Sequence, residues 1–175
     1  MRQMLLYLCT ALLLAGCAGV EVERHRGETP VLDLRRYFDG TIDGWGMFQD
    51  RSGAAIKRFH VVIEARWSGN TGTLDESFSW SDGTTSRRVW TLTDLGDGRW
   101  RGTADDVIGA ASGEAAGSAL RWRYRLALPV DGKVVEVDMD DWMYMIDPAV
   151  MLNRTTMSKF GFHLGEVTLS FRKRP

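Results

Sequence analysis

Cysteine is the chain's first shortage. Two are present in 175 residues, Cys9 and Cys17. Beyond residue 17 there is no thiol, so the body of the protein has no disulfide and no thiolate zinc site, and its stability must come from packing. Charge of one sign is also lacking: the formal net charge is −1. A nucleic-acid binder carries a basic excess or stripe, so that class of partner is excluded. The three histidines, His25, His60 and His163, fall in separate segments with no metal-ligand or triad spacing. No cofactor motif is found. Only four prolines occur, which argues against a disordered or collagen-like chain. The one long apolar run, Met4 to Leu14, is too short to span a bilayer.

That run has a clear context. Arg2 precedes it and small residues follow, which is the layout of a signal peptide covering residues 1–16. Leu14-Ala15-Gly16-Cys17 has the form of a bacterial lipobox, in which cleavage leaves the cysteine as the new N-terminus, carrying acyl chains. Cys17 is therefore the expected lipidation site and the membrane the expected partner, because several chains hold a protein firmly where one alone is marginal. Ala18 and Gly19 in place of an aspartate favour the outer membrane, with the protein facing the periplasm of a bacterial envelope. Residues 17–30 are polar and without periodicity, and are read as a tether; residues 31–175 form a single domain.

Within that domain the most informative stretch is Ser118–Asp147. Asp131-Gly132, flanked by alternating residues, signals a tight hairpin, because both central positions of its turn need positive φ. If Val130 faces Lys133, Arg125 opposes Asp138, Arg123 opposes Asp140 and Arg121 meets Trp142. On the other face Leu128 pairs with Val135, Leu126 with Val137 and Tyr124 with Met139. A one-residue slip would put arginines among leucines, so the pattern fixes the register.

Around it, turn signals recur at the spacing expected of an all-β domain: Asp50–Gly53, Ser68–Gly72, Ser81–Gly83, Gly96–Gly98 and Gly161. Val31–Phe38 is the one candidate for a short helical segment. Ile108–Ala119, broken by Gly109, Gly113 and Gly117, reads as an interrupted strand, following a strand over Arg99–Val107. About ten antiparallel strands in one domain must hide their edges. The economical answer is an antiparallel up-and-down β-barrel of the lipocalin or fatty-acid-binding kind, with room inside for side chains and one small ligand.

Several motifs together resemble the bacterial lipoprotein family called domain of unknown function 3833. They are Tyr37-Phe38-Asp39-Gly40, Trp45–Gly53, Gly72–Glu76, Arg88-Val89-Trp90, Gly102–Asp106, Asp141–Tyr144 and Lys159–Phe162 with Gly165-Glu166-Val167. The resemblance spans nearly the whole mature chain and implies a lipocalin-like lipoprotein; it brings no activity. In lipocalins proper an early tryptophan packs under an arginine of the last strand, which would place Trp45 near Arg172.

Candidate ligand contacts follow from alternation. Glu76 shares a face with Leu74, Phe78 and Trp80, and Arg88 shares one with Trp90 and Leu92. If both faces point inward, Glu76 and Arg88 form an internal ion pair able to hold a ligand head group, Arg88 as arginines hold carboxylates. Trp122, Tyr124 and Met139 are expected in the wall, with Asp141 a buried carboxylate beside them. Trp142 falls on the opposite face by strict alternation and joins the wall only if a bulge intervenes at Asp140-Asp141. In the acidic run Asp138, Asp140, Asp141, the first two are read as a paired, solvated face rather than a metal site, Asp141 being the exception that points the other way. The expected function is binding of an apolar or amphipathic molecule, a lipid or fatty acid, inside the barrel. Two other classes stand beside it: an assembly lipoprotein working through its outer surface, and a lipid isomerase or hydrolase using Asp141 or Glu76 as base.

Overall fold

In the computed structural model, which describes residues 20–130 and 132–175, ten strands run Gly40–Asp50 (β1), Ala55–Ser68 (β2), Thr71–Trp80 (β3), Thr85–Gly96 (β4), Arg99–Thr103 (β5), Ala111–Ala116 (β6), Ala119–Val130 (β7), Lys133–Met145 (β8), Val150–Lys159 (β9) and Phe162–Lys173 (β10). Each strand pairs antiparallel with its sequence neighbour, and β10 returns to β1, so the sheet closes into an up-and-down barrel. Towards the mouth the short β5 and β6 run out, and residues 85–90 of β4 and 124–130 of β7 have no β5 or β6 partner.

The β7–β8 hairpin has the register that alternation requires. Val130 pairs with Lys133, Tyr124 with Met139, Arg125 with Asp138, Arg123 with Asp140 and Arg121 with Trp142. Gly132 has φ +75°, as the turn demands, while Asp131 lies outside the described residues. On the charged face Arg125 meets Asp138 at 3.6 Å and Arg121 lies over the Trp142 ring, as the straight rungs require, but the Arg123–Asp140 rung is re-routed. Arg121 takes Asp140 at 2.7 Å, and Arg123 reaches across to Glu114 on β6 at 3.2 Å. Strand twist brings one diagonal neighbour closer than the residue opposite, so register alone does not name the ion-pair partner.

One end of the barrel is plugged. Asp33 caps the single helical turn α1 (Leu34–Tyr37) by accepting from the Arg36 amide at 3.0 Å. Leu34, Tyr37 and Phe38 then lie buried against Ile42 and Phe171. The Trp67 indole N–H donates to the Phe38 carbonyl at 2.6 Å and locks the plug to β2. Beside this end the N-terminal segment also docks, where an unstructured tether was expected. Val22–His25 forms a 3-10 turn, Val22 packs with Ala116 and Ala119, and the His25 ring meets Tyr144 edge-on at 5.4 Å. One valine and one histidine anchor this turn, too few to leave a periodicity in the sequence. The signal peptide and Cys17 lie outside the described residues.

The far ends of the strands form the mouth. Its connections are Arg51-Ser52, Ser81–Gly83, the β5–β6 loop over 104–110, the β7–β8 turn and Phe160-Gly161. Trp45 does not pack beneath Arg172. It lies on the outer wall, half exposed, with its ring 5.4 Å from that of His60, because Gly44, not Trp45, faces inward across from Phe171.

Candidate functional site: a lined cavity with a polar cluster

Between the plug and the mouth the barrel holds a cavity of about 380 Å³. Leu34 and Phe38 form its floor, Ile63, Trp90 and Trp122 its waist, and Trp80 and Pro129 its rim. Two glycines make the waist possible. A Cβ on Gly102 or Gly113 would collide with the Trp122 indole, so the ring lies flat across β5 and β6 because those positions carry no side chain. Gly113 is one of the glycines that made this segment hard to read. Trp90 meets Trp122 and Tyr124 edge-on at 5.8 and 5.4 Å, which fixes three large walls against one another.

One side of the waist is polar. Glu76 and Arg88 are opposite each other in the β3–β4 register and both line the cavity, as expected. The guanidinium, however, is directed elsewhere. Arg88 donates through Nε (3.0 and 3.1 Å) and a terminal nitrogen (2.5 Å) to Asp106, while Glu76 stands 4.0 Å away. Asp106 was not among the expected contacts, because β5 ends at Thr103 rather than Val107. The chain then turns inward and is held to β7 by the Ala127 amide donating to the Asp106 carbonyl at 2.8 Å and a bridge between Val107 and Leu126. A fork-to-carboxylate pair of this kind fills the arginine's strongest donor geometry.

Asp141 occupies the second polar position. It is buried, 6 % exposed, accepts from the Thr155 hydroxyl, and Thr155 Oγ1 lies 3.1 Å from Asn153 Oδ1. Asn153 donates from Nδ2 to the Trp142 carbonyl at 3.3 Å. Asn153 and Thr155 were missed as site residues. They share the inward face of β9 with Met151 and Met157, and Thr155 is the register partner of Asp141, so extending the count from β8 into β9 would have found them.

Burial governs the electrostatics here. It pushes the Glu76 carboxyl up to about 7; Arg88 pulls down against it, while Asp106, Asp141 and Asp75 add to the rise. Asp141 is pushed up to about 6 by burial, with Thr155, Asn153, Arg88 and Tyr124 pulling the other way. Burial works against the Arg88 charge, but Glu76, Tyr124 and Asp106 together hold its pKa above the ordinary value. The Arg88–Asp106 pair is thus neutral as a unit, and Glu76 and Asp141 remain as groups able to accept or release a proton. Among the described residues no three acidic, histidine or cysteine side chains converge as a metal-ligand set.

Trp90, Trp122, Tyr124 and Met139 line the cavity together with Glu76, Arg88 and Asp141. Trp142 does not. No bulge interrupts the β7–β8 ladder, so Trp142 stays on the outer wall, stacked on Tyr144 at 6.0 Å with the Arg121 guanidinium 5.2 Å from its ring.

Residues 11–173 match the family model described as "Protein of unknown function (DUF3833)". The chain belongs to this family. No curated protein matches it. Among solved structures, an S-type phycobiliprotein lyase, CPES, from Guillardia theta superposes with a TM-score of 0.58 at 6 % identity, covering 78 % of this chain and 89 % of that one. A de novo designed fluorescence-activating β-barrel is also similar, with a TM-score of 0.44 at 15 % identity, covering 82 % of this chain and 99 % of the design. The first likeness, at this identity, establishes the shared barrel fold for the DUF3833 chain and nothing about its ligand.

Proposed function

We propose that this protein is a lipid-anchored bacterial envelope protein that binds one amphipathic, lipid-like molecule in its barrel. A single observation carries the reading: the apolar cavity of about 380 Å³ has its polar groups gathered on one side of the waist. Small-molecule sites have this design, with greasy walls for affinity and a few polar groups for orientation. Arg88 is already matched to Asp106, so the head group meets Glu76 and Asp141 instead. These are hydrogen-bond acceptors when ionised, and they favour a hydroxyl, an amide or an amine over the carboxylate of a free fatty acid.

Native mass spectrometry of the protein purified from its own membranes tests this. The expected result is a stoichiometric adduct of lipid mass, lost on extraction and regained with the extracted lipid. Protein that carries no adduct and takes up neither lipids nor an apolar fluorophore overturns the reading. Anchoring is tested apart from it by metabolic labelling with a clickable fatty acid, which is expected to tag the wild-type chain and not Cys17→Ser.

One observation favours a second reading. Two carboxylates whose pKa lies near neutrality beside a cavity suit acid–base chemistry on a bound lipid, with Glu76 or Asp141 as the base. A co-purified lipid that is chemically altered by the wild type and left intact by Glu76→Gln and Asp141→Asn together would establish it.

A further inference from the structure

Among the described residues, the mouth of the barrel carries the most exposed large apolar side chains. Phe160 is 86 % exposed, Phe162 74 %, Val134 70 % and Ile56 67 %. They come from three different stretches: the β9–β10 turn, the start of β8 and the start of β2. The antiparallel up-and-down order brings all three to the same edge, opposite the plugged end.

Phe160 is held there against its own conformational preference. The Phe160-Gly161 turn has φ +52° and +80°, the two left-handed positions of a tight hairpin turn, where Asn or Asp followed by Gly is favoured. The molecule uses such a pair elsewhere: Asp97-Gly98 has φ +53° and +72°. A phenylalanine in that position adds backbone strain and gains no packing at 86 % exposure, so packing within the chain does not account for it.

Three of these four projections have a lysine adjacent in sequence, Ile56 with Lys57, Val134 with Lys133 and Phe160 with Lys159, while Phe162 is flanked by Gly161 and His163. Lys159 donates to the Glu136 carbonyl at 3.0 Å, with Nζ 5.3 Å from the Phe160 ring. Acidic residues also lie at this edge: Asp50 and Asp82 accept from the backbone and hydroxyls of their own turns, Asp82 pairs with Lys57 at 2.8 Å, and Asp105 in the loop after β5 is exposed. Glu136 lies 3.6 Å from Arg125. Separate apolar tips backed by lysine stems suit the bilayer interface, where the tips enter the headgroup boundary and the ammonium groups of Lys133 and Lys159 reach phosphate. They do not make the continuous, flat apolar core of a protein–protein interface. The cavity rim at Trp80 and Pro129 lies at this same end of the barrel, so an apolar ligand has the shortest route between bilayer and barrel there.

We propose that the mouth docks on an anionic phospholipid surface, with Phe160 and Phe162 as the inserting residues. The docking does not use the N-terminal segment, since Val22 packs beside the opposite end; the phospholipid surface at the mouth is therefore not the bilayer that holds an acylated Cys17. The test places one added tryptophan at either end of the full chain, Phe160→Trp at the mouth or Val31→Trp at the plug, both at exposed positions. Each variant is mixed with vesicles of equal parts phosphatidylglycerol and phosphatidylcholine carrying brominated acyl chains, and its emission is compared with that of the parent. The expected result is a blue shift and quenching of the added emission for Phe160→Trp and none for Val31→Trp, with the quenching weakened by salt. Replacing both phenylalanines, Phe160→Ser with Phe162→Ser, is expected to weaken mouth contact about tenfold or more, read as loss of quenching of a Val134→Trp reporter. Quenching at Val31→Trp alone overturns the proposal by placing the bilayer at the plugged end. Absence of quenching at both positions overturns it by leaving the mouth to solvent or to a protein.

Discussion

Arg88 faces Glu76 across the β3–β4 ladder but gives its hydrogen bonds to Asp106, 2.5 Å from the nearer carboxylate oxygen against 4.0 Å for Glu76. The loop after β5 thus neutralises Arg88 and leaves Glu76 facing the cavity with little compensation. Replacing Asp106→Asn removes both the competitor for Arg88 and a negative charge that raises the Glu76 pKa. The Glu76 titration, followed by carbon NMR of its carboxyl, is expected to move down from about 7 towards the ordinary value of 4.5. Affinity for an amphiphile with a carboxylate head is expected to rise about tenfold as the guanidinium becomes available. An unmoved titration would mean that Asp106 does not control the arginine.

The same burial sets a pH dependence of stability. Glu76 titrates at about 7 when folded against an ordinary value of 4.5, and Asp141 at about 6 against 3.8. A group whose folded pKa is raised binds its proton more tightly in the native state. Its contribution is therefore fully present below the unfolded pKa and is lost as pH rises through the folded one. Stability should fall across pH 4.5 to 7 from Glu76 and across 3.8 to 6 from Asp141. Asp43 acts oppositely: the hydrogen bond from Arg174, aided by His60, holds it at about 2, so its contribution fades as pH falls from 3.8 towards 2. Chemical denaturation over a pH series is expected to show Glu76→Gln flattening the decline above pH 4.5 and gaining about 1–3 kcal/mol at alkaline pH. A parallel, unflattened decline would assign the pH effect to other groups.

Trp122 and Gly113 give a steric prediction. The indole occupies the space that a Cβ at Gly113 would need, and Gly102 leaves the ring's other edge free in the same way. Gly113→Ala is expected to push the ring into the cavity, destabilise the fold by about 1–3 kcal/mol and weaken uptake of an apolar fluorophore. Trp122→Phe in the same background should restore uptake, because a smaller ring no longer meets the added methyl. Failure of that rescue would separate the glycine's role from the tryptophan's.

How far the barrel was legible in the sequence depends on where each constraint is local. The β7–β8 register could be counted from Asp131-Gly132 because alternation penalises every slip. The inward positions of Glu76, Arg88, Tyr124 and Asp141 followed from the same rule. Of the ion-pair partners, Arg125 with Asp138 followed and Arg123 with Asp140 did not, since the diagonal from Arg121 to Asp140 is set by twist, which register alone does not contain. Asp106 was hidden because it belongs to an irregular loop, where no period says which way a carboxylate turns. Asn153 and Thr155 were hidden only by stopping the count at one hairpin. Trp142 shows the rule working unaided: strict alternation put it outside, and without a bulge it stays there.

The N-terminal turn rests on Gly117, whose φ is +53° and whose missing Cβ leaves room for the His25 carbonyl. Around it Glu28 accepts from Ser118 Oγ at 2.7 Å and contacts His25 Nδ1 at 3.0 Å, and the Leu32 amide donates to the Gly117 carbonyl at 2.8 Å. Alanine at 117 must adopt an unfavourable left-handed conformation and also displace His25. Gly117→Ala is therefore expected to cost about 1–3 kcal/mol, expose Val22, and speed both hydrogen exchange at Leu32 and tryptic cleavage at Arg24 and Arg26. Ligand uptake should hold, because the cavity is walled from this turn by β6 and β7. If cleavage stays slow while the fold loses stability, the glycine serves the β6–β7 turn alone and the N-terminal segment is held by Val22 and His25 without it.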